Sequence, residues 1–267
     1  MPNDHGYGGG FFLKSNFQAD ISNLFFYSLL NCRFMKYLGS KNRISKYILP
    51  LMLENRNENQ TWVEPFVGGA NMIDKVKGKR IGSDLNHYVI SLLNQMSKPV
   101  FKAPKISEQK YNDIKEYKSQ YPRWIVGYAG TQLSFGATWF GSYRRDKQGK
   151  RDYCQEAQNN VNKQSKNLQG VKFLNYDYSK LIIPKNSIIY CDPPYKTRAT
   201  KGKYKDDFIH NDFWQWCREK HKEGHTIYIS EYEAPEDFKC IWEMKINQRM
   251  NNNVNTKANT ERLFSCC

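Results

Sequence analysis

The sequence predicts an open α/β sheet, mostly parallel, interrupted by an inserted and mainly helical subdomain. Three observations carry this. Short apolar strands alternate with helical patterns before residue 100 and again after residue 170. Two of the strands run straight into residues suited to a ligand, Glu64-Pro65 with a glycine tract and Asp192-Pro193-Pro194-Tyr195. Open sheets place their ligands at such strand ends. Between residues 100 and 170 the alternation stops, and a Gly- and aromatic-rich tract is followed by a basic one.

Each element has its own signal. Ile44, Tyr47, Ile48, Leu51 and Met52 recur at helical spacing, with Pro50 as an irregularity. Thr61–Val63 is a short apolar strand. The tract Phe66-Val67-Gly68-Gly69-Ala70 reads as a glycine loop leading into a helix through Ile73 and Val76. Arg80–Ser83 is the next strand, ending at Asp84, and a helix follows over Tyr88 to Met96. Strand, glycine loop, helix, strand and acid fall within about 25 residues, the order of nucleotide-binding sheets. After the insert, Val171–Leu174 and Ser187–Cys191 are strands, about 210–222 is a helix, and Thr226–Ser230 is a strand. Two further strands, about 240–248 and 260–265, flank the Asn-rich loop 251–255.

Composition bounds the function. The 267 residues carry 41 Lys+Arg against 26 Asp+Glu, a formal net charge of +15, which points to a polyanionic partner. The leader, residues 1–34, contributes none of it, because Lys14 and Arg33 cancel Asp4 and Asp20. Residues 141–172 hold eight Lys/Arg against three acids, and 196–206 hold five against one. No run of about 18 apolar residues is present, which excludes a membrane-spanning helix. The seven cysteines are scattered with no CxxC pair, so a reduced, cytoplasmic protein is expected. The leader begins with the Gly-rich MPNDHGYGGG and is expected to be flexible, an extension or an upstream start, unless 19–31 forms a docking helix. The working domain is expected from Met35: 35–100 and 171–267 as the sheet domain, 101–170 as the insert.

The sharpest motif is Asp192-Pro193-Pro194-Tyr195. A carboxylate at a strand end, beside a carbonyl that a following proline keeps out of any helix, can accept both protons of an exocyclic amine. The aromatic next to them can stack on a base. A Pro-Pro turn with an Asp cap and a packed tyrosine is the plainer alternative. The glycine loop contains neither GxGxxG nor GxxxxGK[ST], so an uncharged cofactor tail fits it better than a pyrophosphate. Asp84 suits a ribose hydroxyl pair, or equally a helix N-cap.

Taken together, residues 35–267 resemble the Dam-type DNA adenine-N6 methyltransferases. The resemblance rests on Lys36-Tyr37-Leu38-Gly39-Ser40-Lys41, Glu64-Pro65-Phe66-Val67-Gly68-Gly69, Ser83-Asp84-Leu85-Asn86 and Asp192-Pro193-Pro194-Tyr195, in that order. It implies a Rossmann-like methyltransferase sheet with a target-recognition insert, S-adenosyl-L-methionine as cofactor and double-stranded DNA as partner. Catalytic roles are implied for Asp192, Pro193, Pro194 and Tyr195. Cofactor-binding roles are implied for Tyr37, Gly39 and Lys41 at the methionine end, for Glu64, Phe66, Gly68 and Gly69 under the cofactor, for Asp84 at the ribose, and more loosely for Asp177 beside the cofactor's adenine. Lys41 read alone is a solvated lysine at a helix start, and Asp177 a strand-end acid.

The implied reaction is transfer of methyl to N6 of an adenine flipped from the duplex, in a restriction–modification or related setting. Cytosine-N4 methylation, or a non-catalytic DNA-binding relic of the fold, are the alternatives. Tyr143, Arg144, Arg145 and Lys147 in the insert, with Lys196 and Arg198 after the tetrapeptide, are the candidate DNA contacts. Phe135, Trp139 and Phe140 are wedges or, for at least two of them, insert core. His87, His210, His221 and His225 read as structural or solvated, with Gly224 ending the helix and no metal site expected. The protein is expected to act as a monomer, with neither membrane nor metal.

Overall fold

The computed structural model describes residues 34–146, 148–195, 208–246 and 259–266. The leader up to residue 33, Lys147, the basic segment with Lys196 and Arg198, and the Asn-rich loop lie outside the described residues.

Helix α1 (Ser45–Leu53) precedes strand β1 (Trp62–Glu64), and β2 (Arg80–Ser83) leads to α2 (His87–Met96). The insert holds α3 (Glu108–Glu116), α4 (Arg123–Gln132) and α5 (Tyr153–Leu168). Then come β3 (Val171–Leu174), β4 (Ile188–Cys191), α6 (His210–Lys222), β5 (Thr226–Glu231), β6 (Phe238–Ile246) and β7 (Asn259–Cys266). The strands form one sheet in the order β3-β2-β1-β4-β5-β7-β6. β3, β2, β1, β4 and β5 are parallel neighbours, and β7 runs antiparallel to both β5 and β6. The order reverses between β1 and β4, so the ligand crevice of this sheet opens at their carboxyl ends.

Strand alternation sends apolar side chains to both faces. Ile188 and Tyr190 of β4 join a core with Trp62 and residues of α1, α2, α4 and α5. Ile189 and Cys191 join the other, with Val63, Ile227, Ile229 and the Phe213, Trp214, Trp216 and Cys217 side of α6. The insert is continuous with the first core: Tyr111, Val126, Tyr128, Ala157 and Val161 are buried in the same cluster as the sheet residues.

One sequence expectation is corrected. No α-helix runs through Ile73 and Val76. A single 3-10 turn spans Ile73–Lys75, and Val76 is already extended. Ala70 and Gly78 have positive φ, which brackets the segment with backbone that a helix cannot continue through. Helix α5 packs against this turn and against α2, covering the face that the missing helix would cover. The other strands and helices named above lie where the sequence places them, within a few residues. Asn86, not Asp84, caps α2: its side chain accepts from the amides of Tyr88 and Val89.

Candidate active site

Both motifs stand at the switch point. The register Val63↔Ile189 sets the ends of β1 and β4 side by side, so Glu64 and Asp192 leave neighbouring strands in the same direction.

Asp192 is held by Lys41. The ammonium lies 3.1 Å from Asp192 Oδ1 and donates to the Gly39 carbonyl at 3.2 Å. It also sits over the Tyr195 ring, 4.3 Å from its centroid. The solvated reading of Lys41 is thereby excluded, since its side chain is only 9% exposed. Gly39 has φ +80, the left-handed turn that returns the chain toward the tetrapeptide. Burial raises the Asp192 carboxyl above the ordinary aspartate value, and Lys41 acts against that rise. At Lys41 the balance falls the other way. Burial lowers the ammonium, but Asp192 and then Glu261 outweigh it and hold it above the usual lysine value.

Tyr195 donates its hydroxyl to Glu261 Oε2 at 3.1 Å and meets the Tyr232 ring edge-on at 4.6 Å. Pro193 is buried and Pro194 half-buried.

The glycine loop is built differently. The Gly68 amide donates to Asp84 Oδ2 at 2.9 Å, and the Asn86 amide to Asp84 Oδ1 at 2.9 Å. Asp84 therefore braces the loop from the end of β2. Burial raises its carboxyl, and these two amides pull it back down. Tyr37 lies directly on the loop. A Cβ at Gly68 would fall 2.7 Å from the Tyr37 ring, and one at Gly69 would fall 2.6 Å from Tyr37 Cβ. The glycines thus admit the tyrosine of the N-terminal motif. Glu64 is buried and accepts from the Trp62 indole at 2.8 Å. Burial holds its carboxyl well above the ordinary range. Phe66 packs in an aromatic cluster with Tyr178, Phe208 and Phe213. Asp177 uses its carboxylate on its own turn, accepting from the Ser179 amide at 2.9 Å, while Tyr178 presents the ring that packs on Phe66.

Two buried glutamines escaped the sequence reading. Gln164 of α5 accepts from the Met35 amide at 3.2 Å and donates to the carbonyls of Gly69 and Ala70 at 3.1 and 3.2 Å. Gln132 of α4 accepts from the Lys36 amide and donates to the Lys36 carbonyl, both at 2.9 Å. Asn71 donates to the Met35 carbonyl at 3.2 Å. Side chains thus hold the backbone of Met35 and Lys36, which enters the Lys41 motif, and two of the three come from the insert. The signal was present: Gln164 falls on the apolar stripe Ala157, Val161 and Leu168, where an amide is stable only if fully partnered. Glu261 carried no signal, because it comes from a strand distant in sequence.

The insert residues expected at DNA divide. Arg144 is buried, with its guanidinium over the Tyr153 ring at 4.3 Å and 3.9 Å from Glu156. Tyr143 donates its hydroxyl to the Ile106 carbonyl at 2.9 Å. Both contacts lie within the packing of the insert. Arg145 is the outward one, exposed and paired with Glu108. Phe140 is buried, Trp139 stacks on Tyr88 at 5.4 Å, and Phe135 is 71% exposed. His225 is buried and accepts from the Ser187 amide at 3.1 Å, and Gly224 with φ +87 ends α6. Among the described residues no group of three His, Cys, Asp or Glu side chains is placed to hold a metal, and no helix is long and apolar enough to cross a membrane.

A strand-end Asp-Pro-Pro-Tyr thus stands beside a glycine loop braced by the acid of the next strand. The family profile of the D12 class N6 adenine-specific DNA methyltransferases matches residues 37–124 and 140–237. The chain belongs to that family. As a D12 class enzyme it is an adenine-specific DNA methyltransferase acting on DNA, and its cofactor is S-adenosylmethionine. Cytosine-N4 transfer and a non-catalytic relic are not favoured. A search of curated proteins finds no match. Among solved structures the chain is similar to the rRNA methyltransferase aviRa from Streptomyces viridochromogenes, at 10% identity over 88% of this chain and 89% of that one, with a TM-score of 0.44. It is also similar to SMU.472, solved with SAH, at 12% identity over 89% of this chain and 55% of that one, with a TM-score of 0.41. The fold assignment rests on the strand order and the family, not on these distant likenesses.

The residues present fit the cofactor. Asp84 is half-buried, and its two carboxylate oxygens accept from the Gly68 and Asn86 amides, which leaves acceptor capacity for a hydroxyl pair.

Proposed function

We propose that this D12 class enzyme methylates N6 of an adenine rotated out of duplex DNA at a specific site, with Asp192, Pro193, Pro194 and Tyr195 as the catalytic segment. The observation that carries this reading is the Lys41–Asp192 pair at the carboxyl end of β4. An exocyclic amine is a poor nucleophile because its lone pair is delocalised into the ring. An ionised Asp192 and the Pro193 carbonyl accept its two N–H bonds and draw the nitrogen toward tetrahedral geometry. Burial works against that ionisation, and the Lys41 ammonium on Oδ1 supports it. Tyr195 supplies a ring face on which the extruded base stacks. When bound, S-adenosylmethionine supplies an electrophilic sulfonium methyl. Tyr37, Gly39, Glu64, Phe66, Gly68, Gly69, Asp84 and Asp177 are the residues assigned to hold it, with Lys41 shared between the two ligands. Catalysis on this reading is positioning and electrostatics, with no cysteine nucleophile. Cys191 is a buried strand residue.

Arg145, Lys147, Lys196 and Arg198 are the assigned phosphate and base contacts, and the enzyme works inside the cell as a monomer without metal. The test is transfer of labelled methyl to DNA followed by nucleoside digestion. N6-methyladenine is expected from the native chain, and a fall of about 10³-fold or more in Asp192→Ala. Undiminished activity in that variant would sink the assignment.

A further inference from the structure

We propose that Glu261 of β7 is the positioning residue of this site, keeping Lys41 charged and aimed at Asp192 and keeping the Tyr195 ring in place. The inference rests on the methyl-transfer reading above.

The geometry is a chain of alternating charge. Lys41 stands between two carboxylates, 3.1 Å from Asp192 Oδ1 and 3.7 Å from Glu261 Oε2. The same Oε2 accepts the Tyr195 hydroxyl at 3.1 Å. One oxygen thus fixes both the cation and the aromatic ring beneath it. The arrangement solves a specific problem. A base amine needs an ionised Asp192, and in a buried site a carboxylate keeps its charge only beside a cation. A buried lysine in turn tends to lose its proton. Asp192 alone could draw that proton and leave a neutral pair, with no charge to orient an amine. A second carboxylate on the far side of Lys41 opposes this, because two negative charges share one cation.

Glu261 reaches the site through the sheet. β7 pairs antiparallel with β5 in the register Glu231↔Arg262, which brings Glu261 to the crevice end of the sheet. The titratable groups facing the cluster are Lys41 before α1, Glu64 at the end of β1, Tyr190, Asp192 and Tyr195 from β4 and its tetrapeptide, and Glu231 and Tyr232 at the end of β5. Glu261 raises both Asp192 and Lys41. Removing its charge therefore lowers both.

Glu261→Gln is the test, since it keeps an acceptor for Tyr195 and removes only the charge. The pH–rate profile of the full chain should shift as a whole to lower pH by on the order of one unit, the acid limb reporting Asp192 and the alkaline limb Lys41. At neutral pH, where Lys41 and Asp192 both keep their charge in this variant, kcat should change by less than about threefold with the KM for S-adenosylmethionine unchanged, and the loss should show on the alkaline side. Glu261→Asp keeps the charge, and both limbs should stay. A merely structural role would lower activity without moving the limbs, or move them equally in both variants; either result overturns the proposal. The Asp192 carboxyl can also be titrated by 13C NMR, which needs no turnover. A native chain that transfers no methyl defeats the functional reading, while the carboxyl titration in native protein and the two variants still judges Glu261.

Discussion

The two halves of the crevice are neighbours on one sheet and are held by opposite kinds of force. After β4, Asp192, Lys41, Tyr195 and Glu261 are joined by charge. After β1, the glycine loop is joined by neutral amides: Gln164 on the carbonyls of Gly69 and Ala70, and Gln132 and Asn71 on the backbone of Met35 and Lys36. Asp84 is the one ionisable brace of the loop among these contacts, and it too receives amide N–H groups. Coulomb attraction is weakly directional and changes with protonation. Amide bonds are directional and indifferent to pH over the physiological range. The difference teaches that the tetrapeptide end is built to hold a charge state, and the loop end to hold a shape.

Substitutions can break or sharpen this contrast. The largest effect is expected from Gln164→Leu. It leaves the Met35 amide and the Gly69 and Ala70 carbonyls buried without that partner, a loss of about 3 kcal/mol. Thermal melts should show the fall in stability, calorimetry a weaker affinity for S-adenosylmethionine, and the pH–rate limbs should stay in place. Limbs that move would show that the two ends are not separate devices.

Gly69→Ala comes next, at about 2 kcal/mol. The new methyl would meet Tyr37 Cβ at 2.6 Å and Asn71 Nδ2 at 2.8 Å. Cofactor affinity should fall by roughly tenfold or more. Tyr37→Ala, which removes the ring but keeps Cβ, should not restore it, because the tighter contact is with Cβ itself.

The smallest effect has the opposite sign. Glu64 has a folded-state value well above its unfolded value of about 4.5, so ionising it costs the folded protein more than the unfolded chain. Glu64→Gln keeps the acceptor for the Trp62 indole and removes that cost. It should stabilise by about 1 kcal/mol at pH 7, and the gain should vanish as pH falls below about 4.5. Melting curves at the two pH values measure it, and an equal gain at both would show that charge is not the cause.

Much of this was legible in the sequence, for local reasons. A strand buried on both faces must be continuously apolar, so Ile188–Cys191 declared itself, and so did the Asp192 that follows it. Glycine next to a strand end marks a close approach, and Gly68 and Gly69 are such sites. Helix ends followed their punctuation, as at Gly224. What sequence could not decide was every partner brought from afar. A helix through Ile73 was compatible with the local residues, but α5 already occupies that face, and only packing decides which of two helices covers it. Arg144 and Arg145 are the same residue type side by side, and burial alone sends one inward. Gln132, Gln164 and Glu261 lie 96, 129 and 66 residues from the groups they hold, Lys36, Met35 and Tyr195. By itself the sequence determined the strands, the motifs at their ends and the chemistry those motifs carry, because these depend on neighbours in the chain. Tertiary structure alone decided which charges and amides hold the motifs in place, because that depends on the strand order and on the helices that the insert delivers.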